Sequence, residues 1–93
     1  MNQIKFLHLS MKPNWFKMVK DGDRLEDYRP YNEYWIKRIH RNFERVVCSM
    51  GFGKNKSKFT LSFEGLEIRS ESIHPEWGEP ETTHFVIKLG KRA

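Results

Sequence analysis

Along the 93-residue chain the spacing of hydrophobic positions changes repeatedly, and each change marks an element. Ile4 to Leu9 is a short apolar-rich segment without a helical stripe, which predicts a buried strand. Pro13 suits the first position of a helix, where its missing N–H costs nothing. Trp15, Phe16 and Val19 then recur on one face, with Lys17 and Lys20 on the other, and Gly22 stands where a left-handed cap is wanted. At about two turns this helix must be held by packing of Trp15 and Phe16 rather than by propensity. Arg24 to Arg29 has no helical stripe and stops at Pro30, a second strand. Tyr31, Trp35 and Ile39 fall at four-residue spacing, extended by Ile36 and Phe43, and predict a second helix over Asn32 to His40. The paired valines of Arg45 to Cys48 read as a strand.

Gly51, Gly53 and Asn55 punctuate a loop. Phe59, Leu61 and Phe63 alternate with Lys58, Thr60, Ser62 and Glu64, the clearest half-buried antiparallel strand in the sequence. Gly65 predicts a bulge or bend before Leu66 and Ile68. After a loop rich in acids and prolines, Phe85, Ile87 and Leu89 alternate in a final strand. Five to six strands and two helices in the N-terminal half predict an α+β domain with a curved, mostly antiparallel sheet.

Length leaves room for one small domain spanning residues 1–93. Hydrophobic residues make up 38% of the chain, and seven Phe, three Trp and three Tyr can anchor a core, which argues against disorder. The apolar runs are far shorter than the roughly 20 residues of a spanning helix. The first ten residues interrupt their apolar stretch with Lys5 and His8, so no secretory signal is expected there. With Cys48 alone, no intramolecular disulfide can form, and a reducing, cytoplasmic compartment and no membrane partner are expected. The net charge of +5 attracts polyanions, although such a balance also serves solubility alone. Glu71, Glu76, Glu79 and Glu81 form an acidic stretch, which ordinarily marks a solvated loop.

Several chemistries drop out. His8, His40, His74, His84 and Cys48 lack metal-ligand spacing, so no metal is expected. Gly51 to Lys54 is too short for a phosphate loop, and no cofactor is implied. Cys48 sits in a core strand, and Ser10 and Ser49 have no predictable histidine partner. What remains is the stretch from Lys12 to Arg38. Period-two alternation puts Arg24, Glu26 and Tyr28 on one face of the second strand and Leu25, Asp27 and Arg29 on the other. An Asp27–Arg29 ion pair follows, either as a structural tie or as the floor of a polar pocket for a flat, hydrogen-bonding ligand. Tyr31, Tyr34 and Trp35 stand near enough in sequence to stack on such a ligand.

These residues carry a resemblance. Leu9-Ser10-Met11-Lys12-Pro13, the helix, Gly22 to Arg29, Met50 to Gly53, Trp77-Gly78 and Ile87 to Gly90 resemble the ASCH domain family of the PUA-like superfamily. The family motif is written G-x-K-x-x-E-x-R. Gly22 and Arg29 match it, Arg24 stands for the Lys and Asp27 for the Glu. The resemblance implies a small PUA-like curved β-barrel and a cleft beside the motif that binds RNA or a modified nucleotide. One branch of small members hydrolyses N4-acetylcytidine with a Lys, a Thr and a later Glu. Those positions fall here on Arg24, Asp27 and Glu64. An arginine stays protonated and cannot act as a base, so catalysis would rest on Asp27 as base, with Arg24 on a developing oxyanion and Glu64 beside it.

Three functions follow as expectations. The first is a binding module for RNA, a nucleotide or DNA. Lys12, Arg24, Asp27, Arg29, Tyr31 and Trp35 would hold the ligand, and Lys37, Arg38, Arg41, Arg45, Lys54 and Lys56 would meet the phosphate backbone. The second is a small amidohydrolase or ribonuclease. The third is a protein-interaction module presenting Trp77 on the acidic loop, against which stands a Trp77 that plugs one end of the barrel.

Overall fold

The computed structural model describes residues 4–40, 42–51 and 57–93. Five strands form one mixed sheet: β1 (Phe6–Ser10), β2 (Glu26–Pro30), β3 (Arg45–Met50), β4 (Ser57–Arg69) and β5 (His84–Arg92). Helix α1 (Pro13–Lys20) follows β1, α2 (Glu33–Ile36) follows β2, and a 3₁₀ turn covers Pro75–Trp77 before β5. The spatial order is β1-β3-β4-β5-β2. β1 lies parallel to β3, and every other neighbouring pair is antiparallel. The architecture is α+β, a sheet curled into a half-barrel whose edge strands are β1 and β2.

The curl has a local cause. β4 pairs with β3 in its first half and with β5 in its second, and its register to β5 slips between Leu61 and Phe63 and again between Phe63 and Gly65. Gly65 lies there at φ 141°, a conformation that side chains with a Cβ rarely adopt. Extra residues on one strand bend it and increase its twist.

One face of the sheet is apolar. Leu7, Leu9, Val46, Cys48, Phe59, Leu61, Phe85, Ile87 and Leu89 are buried there, and α1 lays Phe16 and Val19 across them, Phe16 meeting Phe59 edge to face at 4.9 Å. Burial pushes the Cys48 thiol up to about 12, an inert core thiol. The opposite face, where β2, β5 and the end of β4 meet, is polar and carries Glu26, Tyr28, Glu67, Arg69, His84 and Lys88.

Three expectations change. β1 alternates, with Leu7 and Leu9 inward and Phe6 and His8 exposed, rather than lying buried on both faces. The second helix is four residues long, not the nine of Asn32 to His40. Asn32 caps it by accepting a hydrogen bond from the Trp35 amide at 3.0 Å, and Trp35, Ile39 and Phe43 turn toward the core while Tyr31 and Ile36 stay exposed. The acidic stretch is not uniformly solvated: Glu79 is 4% exposed.

Candidate functional site

A cavity of about 420 Å³ opens where the end of β1, the start of α1, strand β2 and the segment after the 3₁₀ turn converge. Ser10, Met11 and Lys12 form one side, Trp15 and the Tyr28 ring a second, Asp27, Arg29 and the main chain of Tyr28 the floor, and Trp77, Gly78 and Pro80 the far wall. Alternation explains the floor. Asp27 and Arg29 share the core-side face of β2, opposite Ile87 and Phe85 of β5, so their side chains meet over the mouth of the apolar core.

Arg29 Nε donates to Asp27 Oδ2 at 2.6 Å, while its Nη2 reaches Oδ1 only at 3.5 Å. The same Nη2 donates to the Ser10 carbonyl at 2.9 Å, tying the two edge strands together where no strand pairing joins them. Trp35 of α2 covers the guanidinium, its ring centre 5.1 Å from Cζ. Asp27 is 3% exposed. Burial raises its carboxyl above the ordinary aspartate value, and the Arg29 charge and hydrogen bond oppose that without cancelling it. The Trp15 indole N–H lies close enough to favour the carboxylate, yet makes no bond of hydrogen-bond geometry and is itself buried. Asp27 Oδ1 is therefore the loosely held acceptor of the site.

The main chain adds a second polar edge. Leu89 N–H bonds the Leu25 carbonyl and Tyr31 N–H the Thr83 carbonyl, at 2.9 and 3.4 Å. In an antiparallel ladder alternate residues point their backbone groups toward the partner strand. Residues 25, 27, 29 and 31 thus face β5, and the N–H and C=O of Tyr28 point away from it, toward the free edge of β2. Pro30, which has no N–H to offer, sits on the same edge.

The cavity walls are aromatic. Trp15 and Tyr28 lie 5.8 Å apart, and Trp77 stacks on His74 at 3.9 Å. Arg24 is not on β2, which starts at Glu26. Its guanidinium instead lies over Trp77 at 4.7 Å and near Trp15 at 5.9 Å. Its Nη1 donates to the Asp23 carbonyl at 3.1 Å, and its Nε is buried without a partner among the described residues.

Of the residues singled out from the sequence, Lys12, Asp27 and Arg29 line the cavity, and Arg24 rests on two of its walls. Trp35 reaches it only through Arg29. Tyr31 packs on Phe85 at 5.1 Å and is not a wall. Glu64 is exposed on β4, accepting from Ser62 Oγ at 2.6 Å and lying against Gly90, in space that a Cβ there would fill. It takes no part in the cavity. Lys37 pairs with Glu33 at 3.0 Å, both exposed. Arg38 lies 3.6 Å over Tyr34, and Arg45 pairs with Phe6 and Ser62 on the sheet. Arg41, Lys54 and Lys56 lie outside the described residues.

The sequence pattern does not single out the walls Trp15, Tyr28 and Trp77 as ligand residues. Trp15 carries a core signal and Trp77 a plug signal, and Tyr28 alternates to the face opposite Asp27. The available clue is that Trp15 follows Lys12 by one helical turn, so both overlook the same opening. Among the described residues no group of three His, Cys, Asp or Glu is placed to hold a metal ion, and no helix is long and apolar enough to cross a membrane. No protein-family model matches the chain, and neither does any curated protein.

Proposed function

We propose that the cavity binds a flat, hydrogen-bonding ring, a base of RNA or of a modified nucleotide, and that the protein is a nucleic-acid-binding module of the ASCH type. One observation carries this reading: aromatic walls from Trp15, Tyr28 and Trp77 surround a polar floor, the Asp27–Arg29 pair and the outward main chain of Tyr28. The volume falls within the roughly 300–1,000 Å³ of small-ligand sites, and stacking of a base on an aromatic ring is worth about 1–3 kcal/mol. Asp27 Oδ1 and the Tyr28 carbonyl accept from the guest, and the Tyr28 N–H donates to it. Lys12 also borders two neighbouring hollows of about 480 and 400 Å³, which gives a strand room to continue past the cavity on either side of the α1 start.

Titrating the protein with cytidine and guanosine 5′-monophosphates and with short single-stranded RNA, followed by tryptophan fluorescence, tests this. Quenching should saturate. The RNA affinity should fall with salt at a log–log slope of about −0.7 per phosphate contacted. Unchanged fluorescence with all three, or RNA binding indifferent to Asp27→Asn, overturns the proposal. Hydrolysis finds support in Asp27 alone, whose raised carboxyl suits a base. Arg24 cannot supply one and Glu64 is elsewhere, so turnover of an acetylated cytidine is not expected.

A further inference from the structure

The polar face of the sheet holds a second set of buried charges that the cavity does not use. Glu79 stands in the chain between Gly78 and Pro80, two cavity-wall residues, yet its own side chain turns away and is buried. All of its accepting capacity is engaged. Oε1 accepts from the Ile73 and His74 amides, each at 2.8 Å. Oε2 accepts from Arg69 Nη1 at 2.8 Å and pairs with His84 Nε2 at 2.6 Å. Arg69 in turn reaches Glu26 with Nη1 at 3.2 Å and Nη2 at 3.0 Å. Glu26 directly precedes Asp27, so one guanidinium ties the strand carrying the cavity floor to the segment carrying the far wall.

We infer that Glu79 is a positioning residue for the cavity: its carboxylate clamps the 70–83 segment to the sheet through Arg69 and His84, and thereby sets where the wall of Trp77, Gly78 and Pro80 stands. The inference rests on the cavity being the ligand site. Buried ion clusters add little net stability over apolar packing of the same volume, because desolvating the charges offsets their attraction. What such a cluster does supply is a fixed geometry. Here the bonds from Arg69 and His84 to one carboxylate set the far wall against the strand that carries the floor, and a site loosened by about 1 Å loses its discrimination.

The test compares wild type with Glu79→Gln, which keeps the side-chain shape but replaces one acceptor oxygen by a donor. Amide exchange at Ile73 and His74 should accelerate about tenfold or more beyond any acceleration at Leu9, Val46 and Ile87. The ratio of affinities for cytidine and guanosine 5′-monophosphates should also shift, since a displaced wall treats rings of two sizes differently. A merely destabilising change scales both affinities alike. Unchanged exchange at residues 73 and 74, or a fall in both affinities by one common factor, overturns the inference. If Glu79→Gln does not fold, His84→Phe, which removes the bond to Oε2 along with the Nδ1 contact to the Thr82 carbonyl, is read the same way. Wild type binding neither nucleotide sinks the reading of the cavity, whereas the exchange rates still decide the clamp.

Discussion

Adjacent residues of β2 send carboxylates to opposite faces of one sheet, and the two meet opposite fates. Glu26 joins Arg69, Lys88 and the Tyr28 hydroxyl. Burial alone would raise it, yet those hydrogen bonds hold it at about 2. Glu79, in the same cluster, is likewise held at about 2, the cost of burial overturned by the His74 and Ile73 amides, Arg69 and His84. Asp27, one residue along, has one close partner and is raised. The difference is one of saturation. A carboxylate whose lone pairs are all engaged is stabilised as an anion and closed to further ligands, whereas one buried with a single strong donor stays under-engaged and can accept more. The first pattern builds structure, and the second leaves a site open.

The largest effects should come from breaking the saturated side. Glu79→Ala leaves Arg69 short of one acid and two loop amides without an acceptor, and removing one partner of a buried pair costs about 3–5 kcal/mol. Urea denaturation followed by circular dichroism measures it, and a loss no larger than that of an exposed Glu71→Ala control defeats the argument.

Acid should act on the same side. Glu26 and Glu79 have folded-state values below their ordinary ones. The stability they contribute is therefore complete above the ordinary carboxylate range and is lost as pH falls from about 4.5 toward 2. Asp27 runs the other way: raised in the fold, its ionised form is disfavoured there, and acidification relieves that cost. Thermal melts should accordingly show no loss from neutral pH to about 5, with any change there a gain from Asp27, and fall steeply below about 4. A steep fall already between pH 7 and 5 contradicts the assignment.

Much of the open site is legible in sequence because it is built from short-range rules. Pro13 and Gly22 bracket α1, and period two places Asp27 beside Arg29 without any tertiary knowledge. The saturated cluster is invisible by the same rules. Glu79 sits among Glu71, Glu76 and Glu81, where charge density argues for solvent. Its partners Arg69 and His84 come together only because β4 and β5 pair them in register. The aromatic lining of the cavity is hidden from the sequence for a related reason. Four-residue spacing favours Tyr31 and Trp35, but the helix that would align them ends after one turn, and the rings lining the cavity are Trp15, Tyr28 and Trp77.

Substitutions on the open side should cost binding rather than folding. Asp27→Asn retains a carbonyl acceptor for Arg29 while removing a charge that the fold disfavours, so it should cost less stability than Glu79→Ala. Affinity for cytidine 5′-monophosphate should fall by roughly 10- to 100-fold, the worth of a hydrogen bond to a charged group at about 1.5–3 kcal/mol. Calorimetric titration beside a denaturation curve separates the two, and a variant that unfolds yet binds normally when folded places Asp27 with the structural carboxylates. Trp77→Leu removes a stacking surface and should weaken the same nucleotide by about 1–2 kcal/mol, with equal loss in Trp35→Leu counting against Trp77 as a wall.

The smallest effect belongs to the exposed basic side chains, where the comparison can be sharpened most finely. Lys37 meets Glu33 one helical turn away at 3.0 Å, and both are largely solvated. Such pairs stabilise a helix by only about 0.3–0.5 kcal/mol, so Lys37→Gln should leave the melting curve almost unmoved. If Lys37 also touches a bound strand, its replacement removes one phosphate contact and lowers the salt slope for RNA by about 0.7, while affinity for the mononucleotide stays constant. A mononucleotide carries no neighbouring phosphates to lose, so it reports the cavity alone. An unaltered RNA slope assigns Lys37 to the helix surface and confines recognition to the cavity and Lys12. A slope that drops together with mononucleotide affinity means instead that the substitution has disturbed Trp35, and through it the seat of Arg29.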